Sequence, residues 1–312
     1  MKILVLGAGA VGGYFGGRMA QADADVTFLV RPARARLIEK NGLRIVSPAK
    51  GDAMLHPKCV TQDQVKPDYD VVILTAKAYD LDNAMDAIAP AMAGGRGQVL
   101  PLLNGMAHLD VLDARFGRAR VLGGVAYISS TIGPDGEIRH LNDFQRIVFG
   151  ERDPSQAAVC KALSAALGKV SFDWKHLDNV AQAMWDKWVM LATLAGMTCL
   201  MRGPIGDILE AASGGKLMVA LLEECAAVAE AEGFATPEAM MKNYRGIVGQ
   251  KGSQIAASMM RDIESGGPAE GDHVLGALLA RARARSVPAP LLEIAATHLE
   301  VYAARRRREK NA

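Results

Sequence analysis

A short apolar run followed by closely spaced glycines opens the chain. Residues 2–6 read Lys-Ile-Leu-Val-Leu, and Gly7-x-Gly9-x-x-Gly12 follows at once. In such a pattern the first glycine allows a tight turn out of a strand. The second lets the backbone approach a pyrophosphate, and the third lets the next helix pack close to the sheet. This predicts a Rossmann-type dinucleotide-binding unit, whose phosphate-binding loop consists of Gly7, Ala8, Gly9, Ala10, Val11 and Gly12.

The residue after the next apolar run indicates which dinucleotide binds. That run, residues 25–30, is followed by Arg31. An acidic residue in this place would bond the ribose 2′-hydroxyl of NAD, whereas a guanidinium suits the 2′-phosphate of NADP. Arg31 therefore predicts NADP as the cofactor. The alternative is that Arg31 only begins a solvated basic helix, because Arg34 and Arg36 follow it.

Length and composition predict an ordinary two-domain protein. The 312 residues, of which 50% are hydrophobic, allow two cores of normal size. A net charge of +2 creates no field that would favour nucleic acid or a membrane. The four cysteines have no CxxC spacing, so we expect reduced thiols and no metal site. With no leader before the first strand and no apolar stretch long enough to span a bilayer, we expect a cytoplasmic protein.

The alternation of apolar runs and helical patterns predicts an α/β fold. Runs typical of strands lie at residues 3–6, 26–30, 43–46, 71–76, 99–102 and 121–123. Helical patterns separate them, which favours a parallel sheet covered on both faces. Further runs at 125–132, 138–141 and 146–149 are expected to extend this sheet, and a short strand is expected at 170–172.

The pattern and composition of the sequence change at about residue 175. Strand patterns give way to long segments rich in alanine, leucine and methionine, from residue 180 to residue 307. We predict an N-terminal Rossmann-type doubly wound sheet in residues 1–174, which binds NADP. An all-α C-terminal domain in residues 175–312 is expected to carry the substrate and the catalytic group. Ligands of open α/β sheets bind beyond the carboxyl ends of the strands.

Three polar residues outside the glycine loop are candidates for chemistry. Lys77 and Asn104 follow apolar strand-like runs, where a lysine could pair with phosphate and an asparagine could bond cofactor or substrate. The alternatives are a surface lysine and a plain Asn-Gly turn. Lys187 begins the most apolar helix, where lost hydration would lower its pKa and suit it to proton transfer. It could instead extend its ammonium to solvent from the helix start.

The order of these motifs identifies a resemblance. The motifs are Gly7-x-Gly9-x-x-Gly12, Arg31, Ala76-Lys77-Ala78-Tyr79-Asp80, Asn104-Gly105-Met106, Trp185-x-Lys187, Ser258-Met-Met-Arg-Asp262 and Glu270-x-Asp272. Through essentially the whole chain, this order resembles the ketopantoate reductase (2-dehydropantoate 2-reductase) family. That family reduces ketopantoate to pantoate with NADPH, on the route to pantothenate and coenzyme A.

The resemblance implies roles for individual residues. Arg31 is similar to the family's 2′-phosphate contact and Lys77 to its cofactor-side lysine. Asn104 would lie between nicotinamide and substrate, and Lys187 would donate the proton. Ser258 resembles a contact to the substrate carboxylate, and Glu270 resembles the acid beside cofactor and substrate. The implied mechanism is hydride transfer to the keto carbon without a metal.

The chain departs from the family pattern where the substrate would bind. The family usually has asparagines one and two helical turns after the lysine, and here these positions are Leu191 and Ala195. A further asparagine has no clear match in residues 202–206, and Ile255 stands where the family often has another. Because polar groups that bond a substrate hydroxyl discriminate strongly, their loss relaxes or redirects specificity.

Three hypotheses follow from the sequence. The first is an NADPH-dependent 2-keto acid reductase, with ketopantoate as the substrate. The second keeps the chemistry with a more apolar keto acid, because Leu191 and Ala195 replace polar groups. The third, a non-catalytic NADP-binding sensor, conflicts with the presence of both Lys187 and Glu270. The protein is expected to be a monomer or a homodimer.

Overall fold

The computed structural model describes residues 1–310, in which the strands occupy the first part of the chain and most helices the second. The strands are β1 (Lys2–Leu6), β2 (Asp25–Leu29), β3 (Leu43–Val46), β4 (Ala53–Leu55), β5 (Lys58–Val60), β6 (Val71–Leu74), β7 (Gln98–Pro101), β8 (Gly123–Ile132), β9 (Ile138–Gly150) and β10 (Asp173–His176). The helices are α1 (Ala10–Gln21), α2 (Pro32–Asn41), α3 (Leu81–Met92), α4 (Ala107–Phe116), α5 (Ala157–Ala166), α6 (Val180–Met201), α7 (Ile205–Glu210), α8 (Gly214–Ala231), α9 (Glu238–Val248), α10 (Ser258–Glu264), α11 (Ala277–Ala284) and α12 (Pro290–Lys310).

The first sheet is parallel throughout and has the order β5-β2-β1-β6-β7. Its central strands are apolar runs because both faces are covered, and Ile3, Leu4 and Val5 are 0% exposed. The strand order changes direction between β1 and β6, and ligands of such sheets bind beyond the carboxyl ends of the strands at this point. The glycine-rich loop lies there, directly after β1. The predicted Rossmann-type domain is confirmed.

A second sheet corrects the prediction for the later strands. It has the order β10-β9-β3-β4, and β8 pairs with β9. Residues 43–46 were predicted in the parallel sheet, and residues 125–149 were predicted to extend it. Instead, β3 pairs in parallel with β9 and antiparallel with β4. Apolar runs reveal which residues form strands, but the partner of each strand is set by contacts that are distant in sequence.

Helix α1 lies between the two sheets, and its small residues make this possible. A Cβ placed on Gly16 would lie 2.8 Å from the Phe28 ring, which belongs to the first sheet. A Cβ on Gly17 would lie 2.7 Å from Ile45 of the second sheet. One glycine-rich helix therefore packs against both sheets at close range.

The division of the chain also differs from the prediction. The strand predicted at 170–172 forms slightly later in the chain, as β10 at Asp173–His176, and it pairs in parallel with β9. Two compact units result: residues 1–103 with 109–180, and residues 104–108 with 181 onwards. The observed boundary lies after Val180, beyond the predicted residue 174, because β10 pairs with β9 and so belongs to the first unit.

The second unit is helical, as predicted. Its core contains Trp185 and Trp188 of α6, both at most 2% exposed, and fully buried leucines of α8 and α11. The short helix α7 was not predicted. Over residues 1–310, no helix is both long and apolar enough to cross a membrane.

Candidate active site

The loop between β1 and α1 has the geometry of a phosphate-binding turn. Gly7 has φ +88°, a conformation that favours glycine, and its N–H donates to Leu29 O at 2.9 Å. A Cβ on Gly12 would overlap the Gly7 carbonyl oxygen, so Gly12 is required by the packing of the protein itself. A Cβ on Gly9 would meet no heavy atom within 4 Å. Gly9 therefore leaves open space in front of the loop, where a ligand can approach the backbone.

The beginning of α1 suits an anion. Gly9 is the N-terminal cap residue, and its residue type supplies no capping side chain. The first N–H groups of the helix, from Ala10 onwards, lack partners within the helix and lie at the positive end of its dipole. This loop and helix start fit the pyrophosphate of a dinucleotide.

Arg31 and Lys77 follow β2 and β6, at the same edge of the first sheet as the glycine loop. The Arg31 side chain is 82% exposed, and its Nη2 lies 3.0 Å from Asp80 Oδ2. Lys77 is partly buried and immediately precedes the short helical turn Ala78–Asp80. The structure thus places the Arg31 guanidinium on the surface, accessible to a ligand and next to the Asp80 carboxylate.

Arg34 has a role in the loop that the sequence did not indicate. Its Nη2 donates to Ala8 O at 2.9 Å, and its side chain is partly buried. Burial lowers the pKa of the Arg34 guanidinium. The sequence marked Arg34 only as a basic residue after Arg31. The contact with Ala8 shows that it supports the middle of the glycine loop.

In the helical unit, Asn104 meets Lys187. Asn104 precedes Gly105, whose φ of +70° turns the chain after the sheet strand β7. Residues 104–108 pack with the helical unit and so bring Asn104 to α6. Lys187 Nζ donates a hydrogen bond to Asn104 Oδ1 at 3.2 Å. The sequence predicted both residues for the site, and the structure brings them into contact.

The electrostatic surroundings of Lys187 suit an acid. Burial lowers the pKa of Lys187 to about 8, and the nearby Glu270 carboxylate opposes this effect. Glu270 is itself only 6% exposed. A partly buried ammonium near one amide oxygen and one carboxylate can donate a proton close to neutral pH.

The structure also locates the other residues of the predicted substrate site, Ser258, Leu191 and Ala195. Ser258 is exposed in the first turn of α10, and its side chain makes no hydrogen bond within residues 1–310. Leu191 is partly exposed, whereas Ala195 is 0% exposed. Of the two apolar residues that follow Lys187 on α6, Leu191 is therefore the one within reach of a ligand.

Two histidines next to Asn104 were not predicted. His108 is fully buried, and its Nδ1 lies 3.2 Å from His273 Nε2. His273 lies in a π-helical turn, Asp272–Gly276, just after Glu270. Such turns are frequent at functional sites, but no sequence pattern marks this one.

One group in the first unit has residue types that could ligate a metal. Glu151, Cys160 and His176 place their donor atoms within 4.8 Å of one another. Glu151 Oε2 lies 2.8 Å from His176 Nε2, and Glu151 also bonds the Cys160 thiol, whose pKa is raised by burial to about 12. Hydrogen bonds among the three side chains explain why they lie close together without a metal ion. The absence of a metal stays a prediction.

The fold and the site define a class: an oxidoreductase with a Rossmann-type domain and a helical domain, in which a lysine contacts an asparagine near a carboxylate. Two family models match: Ketopantoate reductase PanE/ApbA over residues 3–154, and Ketopantoate reductase PanE/ApbA C terminal over residues 179–303. The chain belongs to the ketopantoate reductase family.

Individual relatives agree with this assignment. The uncharacterized oxidoreductase YkpB of Bacillus subtilis (strain 168) is 34% identical over 304 residues, which cover 97% of this chain and 99% of the relative. The crystal structure of a 2-dehydropantoate 2-reductase from Geobacter metallireducens GS-15 is 30% identical, with a TM-score of 0.86 and coverage of 96% and 99%. A D-mandelate dehydrogenase with NADH and anilino(oxo)acetate shares the fold at 20% identity, with a TM-score of 0.84 and coverage of 98% and 100%.

These findings fix the reaction type. The chain is an oxidoreductase of the 2-dehydropantoate 2-reductase type that acts on CH–OH groups, and its family depends on NAD(P)H.

Proposed function

We propose that this protein reduces a 2-keto acid to a 2-hydroxy acid with NADPH, and that the substrate is 2-dehydropantoate. The observation that carries the proposal is the contact between Lys187 Nζ and Asn104 Oδ1, near the Glu270 carboxylate. A reductase that makes pantoate for pantothenate and coenzyme A synthesis would work in the cytoplasm. Monomer or homodimer remains our prediction for its assembly.

The residues that would hold the cofactor are in the first unit. The loop Gly7–Gly12 would bind the pyrophosphate, Arg31 would bind the 2′-phosphate, and Lys77 would contact the cofactor. When bound, NADPH supplies the hydride that reduces the keto carbon. Arg31 supports NADPH over NADH because a carboxylate in its place would repel the 2′-phosphate.

Lys187 supplies the proton and the positive charge. As the keto carbon is reduced, negative charge grows on the keto oxygen, and the ammonium stabilises it and then donates a proton. A pKa of about 8 keeps most Lys187 protonated at pH 7 and makes proton donation easier than from an ordinary lysine. Glu270 favours the charged form, and Asn104 fixes the direction of Nζ.

The substrate carboxylate has fewer partners than the family pattern supplies. Ser258, exposed at the start of α10, is proposed as one contact. The partly exposed Leu191 offers no hydrogen bond where the family usually has an asparagine. This observation favours a second candidate, the same reduction with a 2- or 3-keto acid that carries a more apolar side chain.

The test measures NADPH oxidation with ketopantoate and with keto acids of increasing apolar side-chain size. Lys187→Met should lower kcat/KM by about 10² to 10⁴ because it removes the general acid. Lys216→Met, at an exposed lysine on α8, is the matched control and should match the wild type. Ketopantoate as the best substrate supports the first candidate, and a larger apolar keto acid as the best supports the second. Wild-type protein that turns over none of them contradicts both.

A further inference from the structure

Two histidines contact each other at residues 104–108, a segment called here the Asn104 turn. His108 is its last residue, and His273 packs against it. His108 is 0% exposed, and the two rings stack with centroids 5.4 Å apart and an interplanar angle of 27°. Their facing nitrogens, His108 Nδ1 and His273 Nε2, lie 3.2 Å apart. One nitrogen therefore donates a hydrogen bond to the other. A buried imidazole in contact with a partly buried one forms a specific polar pair, because an unpaired buried nitrogen would cost free energy.

The backbone around His273 is tied to the helix that carries Lys187. Trp188 Nε1, on the residue after Lys187, donates to Val274 O at 2.9 Å. Val274 N donates to Glu270 O at 3.0 Å, which closes one turn of the segment. His273 therefore lies on a backbone turn that is fixed between Glu270 and α6.

On its other side, His273 contacts the Asn104 turn directly. A Cβ on Gly105 would lie 3.0 Å from His273 O and 3.2 Å from His273 Cδ2, so only glycine allows this approach. The His273 ring is also hydrogen-bonded to His108, at the other end of residues 104–108, at 3.2 Å. His273 thus packs against the turn that carries Asn104, whose Oδ1 accepts the hydrogen bond from Lys187.

The surroundings of His273 favour its neutral imidazole form. Burial lowers its pKa, while the Glu270 carboxylate and the Asn104 backbone oppose this effect. A neutral imidazole has one N–H donor and one acceptor nitrogen. A neutral His273 can therefore form the hydrogen bond with His108 through Nε2, as donor or as acceptor.

We propose that His273, supported by His108, is a positioning residue that holds the Asn104 turn so that Asn104 Oδ1 meets Lys187 Nζ. This role rests on the proposed function, because it concerns the geometry of the proton donor in the reduction. His273 acts through Asn104 and does not itself exchange a proton with the substrate.

A double-mutant cycle separates positioning from simple packing. The variants are His273→Phe, which keeps a ring and removes its nitrogens, Asn104→Ala, and the combination of the two. We expect His273→Phe to lower kcat about ten-fold with little change in the KM for NADPH. Because His273 acts through Asn104, the double variant should stay within about three-fold of Asn104→Ala alone.

Rescue and control variants complete the experiment. His273→Gln places an amide near the former Nε2 and should recover kcat to within about three-fold of the wild type. His298→Phe makes the same substitution on α12, at a histidine outside the site's hydrogen bonds, and should leave kcat unchanged. If His273→Phe does not fold, His108→Phe removes the supporting nitrogen and should lower kcat in the same direction.

Three outcomes would overturn the inference. One is a His273→Phe enzyme with wild-type kcat, and another is losses that multiply in the double variant. The third is a His273→Gln enzyme as slow as His273→Phe. These differ from failure of the proposed function, in which the wild type itself oxidises no NADPH with keto acids or Lys187→Met remains fully active. That result removes the reaction and the positioning role together.

Discussion

Lys187 Nζ and Asn104 Oδ1 lie 3.2 Å apart, although 83 positions separate the two residues in the chain. Within the helical unit, the contact joins the turn at residues 104–108 to Lys187, which lies seven residues after α6 begins. It fixes the direction of the Lys187 ammonium. Burial lowers the pKa of this group to about 8, and the Glu270 carboxylate partly opposes the decrease.

The rate of reduction should fall at alkaline pH. Lys187 donates a proton only as an ammonium, so kcat should be constant below its pKa and decline above about pH 8. Removing the Glu270 charge removes an effect that raises this pKa, so Glu270→Gln should move the midpoint to lower pH. The measurement is kcat against pH for both enzymes. A midpoint that stays in place or moves upward in Glu270→Gln would contradict the assignment.

Lys187 should reduce the stability of the fold. Its pKa is about 8 in the folded chain and 10.5 when exposed, so the unfolded chain binds more protons between these values. Stability should therefore rise with pH across this window. Lys187→Met should stabilise the protein by roughly 1 kcal/mol below pH 8, allowing for partial exposure, and by less towards pH 10.5. Urea unfolding at several pH values measures this. An unchanged or lower stability below pH 8 would disprove the burial cost.

Two glycines of the loop should respond differently to alanine. A Cβ on Gly9 meets no protein atom within 4 Å, so Gly9→Ala should fold with an unchanged Tm but bind NADPH at least about ten-fold more weakly. A Cβ on Gly12 overlaps the Gly7 backbone oxygen, so Gly12→Ala should lose about 1–3 kcal/mol of stability. Calorimetric melting and NADPH titration separate the two effects. Equal loss of stability in both variants would argue against a ligand in front of Gly9.

Arg31 should set the preference between the two dinucleotides. Arg31→Ala should raise the Kd for NADPH about ten-fold and leave the Kd for NADH unchanged, because only NADPH has the 2′-phosphate. Asp80, 3.0 Å from Arg31, would compete with that phosphate for the guanidinium, so Asp80→Asn should tighten NADPH binding. Arg36→Ala, at an exposed arginine of α2, is the control. Parallel weakening of NADH and NADPH in Arg31→Ala would contradict the role.

Arg34 should support both dinucleotides equally. Its hydrogen bond to Ala8 O holds the loop itself, which does not distinguish the two cofactors. Arg34→Met should therefore raise the Kd values of NADH and NADPH by a similar factor, about five-fold to ten-fold. Arg36→Met is the matched control on the same helix. A loss confined to NADPH would show that Arg34 contacts the 2′-phosphate and does not act through the loop.

Much of the fold could be predicted because its signals are local. The glycine spacing after β1, the apolar strands of the first sheet and the long apolar α6 each show in a few consecutive residues. The second sheet could not be predicted, because β3 pairs with β9 and that choice depends on contacts far apart in sequence. Gly16 and Gly17 of α1 allow close packing against the two sheets, but the sequence did not indicate that this helix contacts a second sheet.

For the site, the sequence by itself determined which residue types are available and predicted their roles: the glycine loop, Arg31, Asn104, Lys187 and Glu270. Local order and a resemblance of motifs suffice for that. Only the tertiary structure decided that Asn104 packs with the helical unit and meets Lys187, and that Arg34 holds the loop. It also placed His108 and His273 behind Asn104. The physical reason is that pKa values, hydrogen bonds and close approaches depend on burial and distance, and both arise only when remote segments fold together.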